Sequence, residues 1–150
     1  NSATCIEFFS KIFAKVNMNT KFTISPWIPE LNCPTNSLNC AKPTYAEISK
    51  IIRRMKSSST PCPLDQIPVI CLKRCPYLRT YVTALIGESW RQRTIPVTWK
   101  RGATILIYKA GATDNPANLR SIAVQPVCLK ILTSLTRDRI YQFLVQNGYT

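Results

Sequence analysis

The sequence predicts an α+β fold, in which about four helices pack around one two-stranded β-hairpin. Two short β-rich runs, residues 102–108 and Leu119–Val124, flank a connection full of turn-forming residues. Longer segments repeat apolar residues every three or four positions, which is the spacing of amphipathic helices. Because two strands alone are marginally stable, we expect the hairpin to lean on the helices at residues 76–93 and 126–146.

The first two helices are predicted at residues 4–16 and 44–56. Thr44 and Glu47 have the spacing of a capping box, which places the start of the second helix at this point. Residues 17–43 are rich in Pro, Asn, Ser and Thr, a composition typical of an irregular connection. We therefore divide the chain into residues 1–43 and a domain at residues 44–150.

The third and fourth helices are predicted at residues 76–93 and 126–146. The third should bury a single stripe, made of Leu78, Tyr81, Val82, Leu85, Ile86 and Trp90. The fourth should begin near Pro126, where a missing N–H costs nothing, and should end at Asn147 and Gly148. Its buried side should consist of Cys128, Ile131, Leu132, Leu135, Phe143 and Leu144.

The charge of the chain is strongly unbalanced. It has 20 Lys and Arg residues against 7 Asp and Glu residues, a formal net charge of +13. Such a charge favours polyanionic partners, nucleic acid first and an anionic membrane surface second. Because the cations are spread along the chain, we expect a cationic face on a folded domain rather than a basic tail.

The cysteines and the missing histidine exclude several kinds of site. The chain has 7 cysteines and no histidine, so Ser-His-Asp triads and His-based zinc sites are excluded. We expect the cysteines to be free and mostly buried thiols. The alternative is a thiolate zinc site made of four cysteines with unusual spacing: Cys33, Cys40, Cys71 and Cys75. No apolar run approaches the length of a membrane span, and Lys11 and Lys15 interrupt the N-terminal apolar residues. We expect an intracellular protein, in the cytoplasm and nucleus.

The turn end of the hairpin is the candidate binding site. Lys109 closes the first predicted strand and Arg120 opens the second, so pairing of the strands brings both cations to one end. Two fixed cations beside backbone N–H groups form a place for phosphates. The alternative is an exposed hairpin tip whose charges are simply solvated.

A series of residues at fixed spacing surrounds this hairpin: Trp99, Lys100, Ile105, Leu106, Ile107, Tyr108, Lys109, Gly111, Asp114, Pro116, Asn118, Arg120 and Ile122. Their order and spacing resemble the fingers motif of reverse transcriptases from non-LTR (LINE-type) retrotransposons. The family pattern runs W-K-x-(A/G)-x-(I/V)-x-(L/I)-I-x-K-x-G and then D-P-x-N-(F/Y)-R-P-I-(S/T)-L. Leu119 and Ser121 depart from it, since the family usually has an aromatic residue and Pro at these places.

A second segment upstream supports the resemblance. Residues 60–68, TPCPLDQIP, are similar to the S/A-P-G-P-D-G-I-P segment of the same enzymes. Cys62 and Gln66 stand at the two glycine positions, and Leu64 is inserted. The resemblance covers residues 44–149 and implies the fingers subdomain of a right-hand polymerase with its palm missing.

The resemblance also implies partners and roles. Lys109 and Arg120 would face the triphosphate of the incoming deoxynucleoside triphosphate, a task that suits the planar fork of an Arg. The template-side candidates are Pro63, Asp65, Lys100 and Arg101. The implied partners are an RNA template, a DNA primer and the nucleotide, with no membrane.

The catalytic carboxylates of a polymerase are missing from the sequence. Polymerases hold two metal ions with paired carboxylates, but the 7 acidic residues here lie apart and none sits in an F-x-x-D or Y-x-D-D setting. The resemblance places those carboxylates in the palm, so Mg²⁺ is expected only in the full-length enzyme, and no catalytic residue is expected here. Because the chain opens on Asn1 rather than Met, we expect a fragment that does not polymerise alone. The alternative is a basic, non-enzymatic nucleic-acid-binding module.

Overall fold

The computed structural model describes residues 2–13, 26–27, 33–112 and 115–149, with the side chains of residues 2, 12 and 13 excepted. It has an α+β fold, as predicted, with one two-stranded antiparallel sheet. The elements in chain order are α1 (Ser2–Phe13), α2 (Tyr45–Arg54), α3 (Val69–Arg74), α4 (Pro76–Gln92), α5 (Val97–Lys100), β1 (Ala103–Tyr108), a 3₁₀ helix (Pro116–Asn118), β2 (Leu119–Val124) and α6 (Val127–Gln146).

The chain divides into two compact units. The first contains residues 1–33 and 106–122, and the second contains residues 34–105 and 123–150. Helix α1 confirms the predicted N-terminal helix, but residues 14–16 of that prediction lie outside the described residues. The predicted boundary at residues 43 and 44 falls inside the second unit and stays a prediction.

The core of the second unit is made by four helices. Its buried residues are Ile48, Ile51 and Ile52 of α2, Val69 and Leu72 of α3, Val82 and Ile86 of α4, and Val127, Cys128, Ile131, Leu132 and Leu135 of α6. No described residue of β1 or β2 belongs to it, and every residue of β1 after Ala103 is exposed. The apolar stripes of these helices are therefore buried mainly against one another, and the expectation that the hairpin leans on the helices at residues 76–93 and 126–146 stays a prediction.

Helix α2 confirms the predicted capping box. The Thr44 hydroxyl accepts a hydrogen bond from the Glu47 amide at 3.3 Å, and the Glu47 carboxylate accepts one from the Thr44 amide at 2.8 Å. These bonds satisfy two of the N–H groups that a helix start leaves unpaired. They also fix the Glu47 side chain at the beginning of the core helix.

Helix α4 is correctly predicted in position but not in its buried face. Val82 and Ile86 are buried, whereas Leu78, Tyr81 and Leu85 are 41%, 71% and 53% exposed. Apolar residues occupy two adjacent stripes of this helix, and the one shared with Trp90 faces the core. A periodicity of 3.6 residues identifies the helix but does not choose between two such stripes.

Helix α6 begins after Pro126, as predicted, and its C-terminal residues Asn147 and Gly148 confirm the predicted cap. Gly148 has a φ of +70°, the left-handed conformation that glycine adopts without strain. Of the predicted buried residues, Phe143 and Leu144 are only half-buried, whereas the other four are buried. The apolar side of α6 is thus wider than its contact with the core.

The short helices α3 and α5 were missed, because runs of six and four residues are too short to show helical periodicity. The prediction of mostly buried thiols is also wrong. All the cysteines are free, but only Cys62 and Cys128 are buried. Burial raises the pKa of the Cys128 thiol to about 11, with a smaller contribution from the charge of Asp65, so this thiol stays protonated at neutral pH.

Candidate nucleotide and nucleic-acid site

The register of the hairpin places the two candidate cations on one face. The Lys109 amide donates to the Asn118 carbonyl at 2.9 Å, directly beyond the ends of β1 and β2. In this antiparallel register Ile107 lies opposite Arg120, and residues 107 and 109 point to the same side of β1. Lys109 and Arg120 are therefore diagonal neighbours on one face, with backbone positions roughly 7 Å apart.

The turn end of the hairpin is held by its own polar residues. Gly111 has a φ of +101°, and a Cβ at this position would come within 2.6 Å of the Asn118 side chain. The Asn118 amide group donates to the Ala112 carbonyl at 2.9 Å, and the Asn115 side chain accepts from the Ala117 amide at 3.0 Å. A glycine is required at residue 111 for both its conformation and its close contact.

Lys109 and Arg120 are exposed, and neither forms an ion pair with a carboxylate within the part of the chain that the structure describes. Asp114, which the sequence motif includes, lies outside the described residues. Two cations held on one face by backbone pairing can both donate hydrogen bonds to one phosphate chain.

Three segments meet near the base of the hairpin in the second unit. The Cys62 thiol lies 3.4 Å from the Val124 carbonyl oxygen, and a Cβ on Gly102 would lie 3.4 Å from the same oxygen. Pro63 and Arg101, the neighbours of Cys62 and Gly102 in the chain, are both exposed. The structure therefore brings the two template-side candidate segments to one carbonyl group.

The other two template-side candidates, Asp65 and Lys100, are not among the exposed residues that meet at the Val124 carbonyl. One carboxylate oxygen of Asp65 accepts from the Val127 amide at 2.6 Å and the other from the Ile67 amide at 3.3 Å. Asp65 thus caps the start of α6, where its negative charge also interacts favourably with the positive end of the helix dipole. Lys100 is exposed at the end of α5, and its place in the site stays a prediction.

Two buried arginines escaped the sequence reasoning. Arg79, 8% exposed, donates to the carbonyl oxygens of Leu72 and Lys73 at 3.1 and 2.7 Å, and so caps the end of α3. Arg139, 5% exposed, donates to both oxygens of Glu47 and lies 5.0 Å over the ring of Trp90. In the sequence, Arg79 and Arg139 differ from surface cations in one respect: each falls at a helical spacing from apolar residues that are buried.

Three of the four carboxylates of the second unit, those of Glu47, Glu88 and Asp138, are paired with cations. Burial alone would raise the pKa of Glu47, but hydrogen bonds from Thr44 and Arg139 outweigh it and lower that pKa. Hydrogen bonds from Arg91 and Gln92 lower the pKa of Glu88 to about 2. Asp138 pairs with Arg54 and with Arg137, and these bonds outweigh burial and lower its pKa. These three acids therefore serve intramolecular ion pairs, whereas Asp65 binds backbone amides.

No three Cys, Asp or Glu side chains among the described residues gather into a group that fits a metal ion. In the same part of the chain, no helix combines the length and the apolar character needed to cross a membrane. No protein-family model matches the chain, and no curated protein is significantly similar to it.

Proposed function

We propose that this chain is a fingers segment of the reverse transcriptase of a non-LTR retrotransposon, and that its hairpin tip contacts the triphosphate of an incoming deoxynucleotide. The observation that carries the proposal is the hairpin register, which puts Lys109 and Arg120 on one exposed face. The residues that match the family motif are the ones that build this tip. Phosphate recognition by a lysine and a planar guanidinium follows from their geometry.

The loop between the strands adds support. Gly111 and Asn118 both belong to the matched motif, and in this chain they are in close contact at the turn. A motif residue that shapes the backbone beside two cations positions them indirectly. The proposal therefore assigns Gly111 and Asn118 a positioning role and Lys109 and Arg120 the contact with phosphate.

The template side of the site is proposed at the hairpin base. Pro63 and Arg101 are exposed there on segments that share the Val124 carbonyl, and Lys100 lies next to Arg101 in the chain. Asp65 acts on this surface by anchoring the loop to α6 through the Val127 amide. The described residues offer no carboxylate group that fits Mg²⁺, so no catalytic step is derived from this chain.

The proposal is tested by separating nucleotide binding from template binding. A fluorescent deoxynucleoside triphosphate should bind the protein and lose most of its affinity when Lys109 and Arg120 are both replaced by Ala. Single-stranded RNA, measured without nucleotide, should keep its affinity within about twofold, because the other 18 of the 20 cations remain. Replacement of Lys50 and Arg53, exposed cations of α2, by Ala is the matched control for lost charge.

The opposite pattern favours a basic nucleic-acid-binding module with no polymerase ancestry. The net charge of +13 is the observation that supports this second candidate. It predicts that the Lys109→Ala, Arg120→Ala protein loses RNA affinity while triphosphate binding stays unchanged. Primer extension by the chain alone would also contradict the proposed role, since the sequence lacks paired carboxylates.

A further inference from the structure

A long groove in the second unit is separate from the hairpin. Its volume is about 1170 Å³, and it lies between α6 and the last turn of α4 with the residues that follow. From α6 it takes residues at intervals of three and four from Leu129 to Leu144, among them Leu132, Thr136 and Ile140. Trp90 forms part of the facing wall, where its indole N–H donates to the Cys40 carbonyl at 2.9 Å.

The shape of this lining indicates the kind of occupant. Fifteen residues of helix span about 22 Å, and positions at intervals of three and four form a single straight face. Such a face packs against another helix at 8–10 Å, with the ridges of one helix in the grooves of the other. Leu132 belongs to the core as well as to the groove, so the groove borders the helical core.

The lining combines apolar side chains with hydroxyl groups. Leu129, Ile140 and Leu144 on one wall and Ile95 on the other are apolar, and hydroxyl side chains lie between them: Ser89, Thr94, Thr133, Thr136 and Tyr141. Ile140 and Ile95 are 43% and 38% exposed. Exposing apolar surface to water is unfavourable in free energy, and burial by an apolar partner would remove this contribution. A floor of this composition fits the apolar face of an amphipathic helix.

The rim of the groove carries positive charge. Its charged residues are all cations, namely Lys42, Arg91, Arg93 and Arg137. Two nearby carboxylates offset part of this charge, since Glu88 pairs with Arg91 and Asp138 with Arg137. Lys42 and Arg93 form no ion pair with any described residue, so the rim remains net positive.

We propose that this groove binds an amphipathic helix of a partner protein, with its apolar face on α6 and acidic residues at its edges. The apolar stripe supplies burial, and the cationic rim selects against basic helices by repulsion. The assignment does not depend on the polymerase proposal, because it uses neither the hairpin nor the template-side residues.

The test uses a fluorescein-labelled synthetic peptide of about 18 residues, long enough to form a helix, with Leu at helical spacing and Glu elsewhere. Its binding to the whole chain is followed by fluorescence anisotropy. Ile140→Asn should weaken binding about tenfold, and Arg93→Glu about fivefold at low salt. Leu85→Asn, an exposed apolar residue outside the groove, and Lys50→Glu, a cation outside it, should change affinity less than about twofold.

Two control peptides and two further measurements can overturn the assignment. A peptide with Lys in place of Glu, or one whose Leu residues alternate, should bind at least about tenfold more weakly. Equal binding of either, or unchanged affinity in both groove variants, rejects the proposal. Loss of single-stranded RNA binding in Ile140→Asn, with no peptide binding, would make the groove a nucleic-acid site. A dimer that Ile140→Asn dissociates, again without peptide binding, would make the occupant a second copy.

Circular dichroism melting of each variant shows whether it is folded. Arg93 is exposed, so Arg93→Glu tests the groove even where Ile140→Asn does not fold.

Discussion

The helical unit, which is the second unit of the chain (residues 34–105 and 123–150), buries two arginines, whereas the hairpin tip exposes Lys109 and Arg120. These side chains carry the same charge in opposite settings. Arg79 and Arg139 are almost completely buried, and each makes several hydrogen bonds that close a helix end or join a loop to a helix. Lys109 and Arg120 are exposed on the hairpin and pair with no carboxylate among the described residues.

The difference separates charge that is hydrogen-bonded inside the fold from charge that is exposed to solvent. A buried guanidinium must be fully hydrogen-bonded, because an unpaired buried charge is strongly destabilising. An exposed cation contributes little to folding and keeps its donors for a ligand. The net charge of +13 therefore overstates the surface that can meet a polyanion, since part of it is enclosed in the helical unit.

The largest expected contrast concerns two isoleucines. Ile131 is fully buried in the helical core, whereas Ile107 on β1 is 49% exposed. Ile131→Ala should lower the free energy of unfolding by about 3 kcal/mol, through lost burial and a cavity. Ile107→Ala should change it by less than about 0.5 kcal/mol. Urea unfolding followed by circular dichroism measures both, and equal effects would mean that the hairpin and the helices share one core.

Arg139→Met comes next, with an expected loss of about 2 kcal/mol. The substitution keeps an apolar chain beside Trp90 but leaves the partly buried Glu47 carboxylate without its partner and the Ala41 carbonyl without its donor. Arg137→Met, an exposed residue two positions away, is the matched control and should cost less than about 0.5 kcal/mol.

The same pair predicts a pH dependence. The pKa of Glu47 is lower in the folded chain than its ordinary value of 4.5, so its ion pair stabilises the fold above that pH. The stabilisation is lost as the pH falls through the lowered folded pKa. Arg139→Met should therefore flatten the loss of stability between pH 5 and acid, as measured by urea unfolding at each pH. An unchanged acid slope would mean that the hydrogen bonds from Thr44, rather than Arg139, lower the pKa of Glu47.

Much of this fold is readable from sequence because local signals agree with tertiary packing. The Thr44–Glu47 capping box predicts the start of a helix, and the turn residues before Leu119 predict a chain reversal. Both signals act through bonds made within a few residues, and the structure has those bonds. The buried face of α4 needed long-range information, since Leu85 and Ile86 are equally apolar in sequence but only Ile86 is buried. Periodicity reports that a helix has an apolar side, whereas the partners decide which side it uses.

The candidate site likewise has local features that the sequence predicts and long-range contacts that it does not. The sequence predicts that strand pairing brings Lys109 and Arg120 to one end of the hairpin, whereas the register that puts them on one face comes from the structure. The cap that Asp65 forms on α6 joins residues 62 positions apart, and no local pattern contains it. Buried Arg139 was missed for the same reason, since its partner Glu47 lies 92 positions away.

Gln66 offers a smaller test inside the helical unit. It has a φ of +51°, a left-handed conformation that costs a non-glycine residue about 1–2 kcal/mol, and it stands at a glycine position of the motif that the sequence resembles. Gln66→Gly should raise the free energy of unfolding by about 0.5–1 kcal/mol after the added freedom of the unfolded chain is subtracted. Cys62→Gly is the matched control at the other glycine position. Cys62 is buried and has no positive φ, so this change should destabilise instead.

The smallest effect is expected where the charge is most conspicuous. Replacing Lys109 and Arg120 by Ala removes two of the 20 cations from the exposed tip and breaks no ion pair between described residues. The free energy of unfolding should change by less than about 0.5 kcal/mol, and any gain from reduced repulsion should vanish as salt screens it. Urea unfolding at low and moderate salt measures this, with Arg79→Ala as the destabilising counterpart. A loss above about 1 kcal/mol would mean that the tip cations hold the fold together, and their donors would then not be free for a triphosphate.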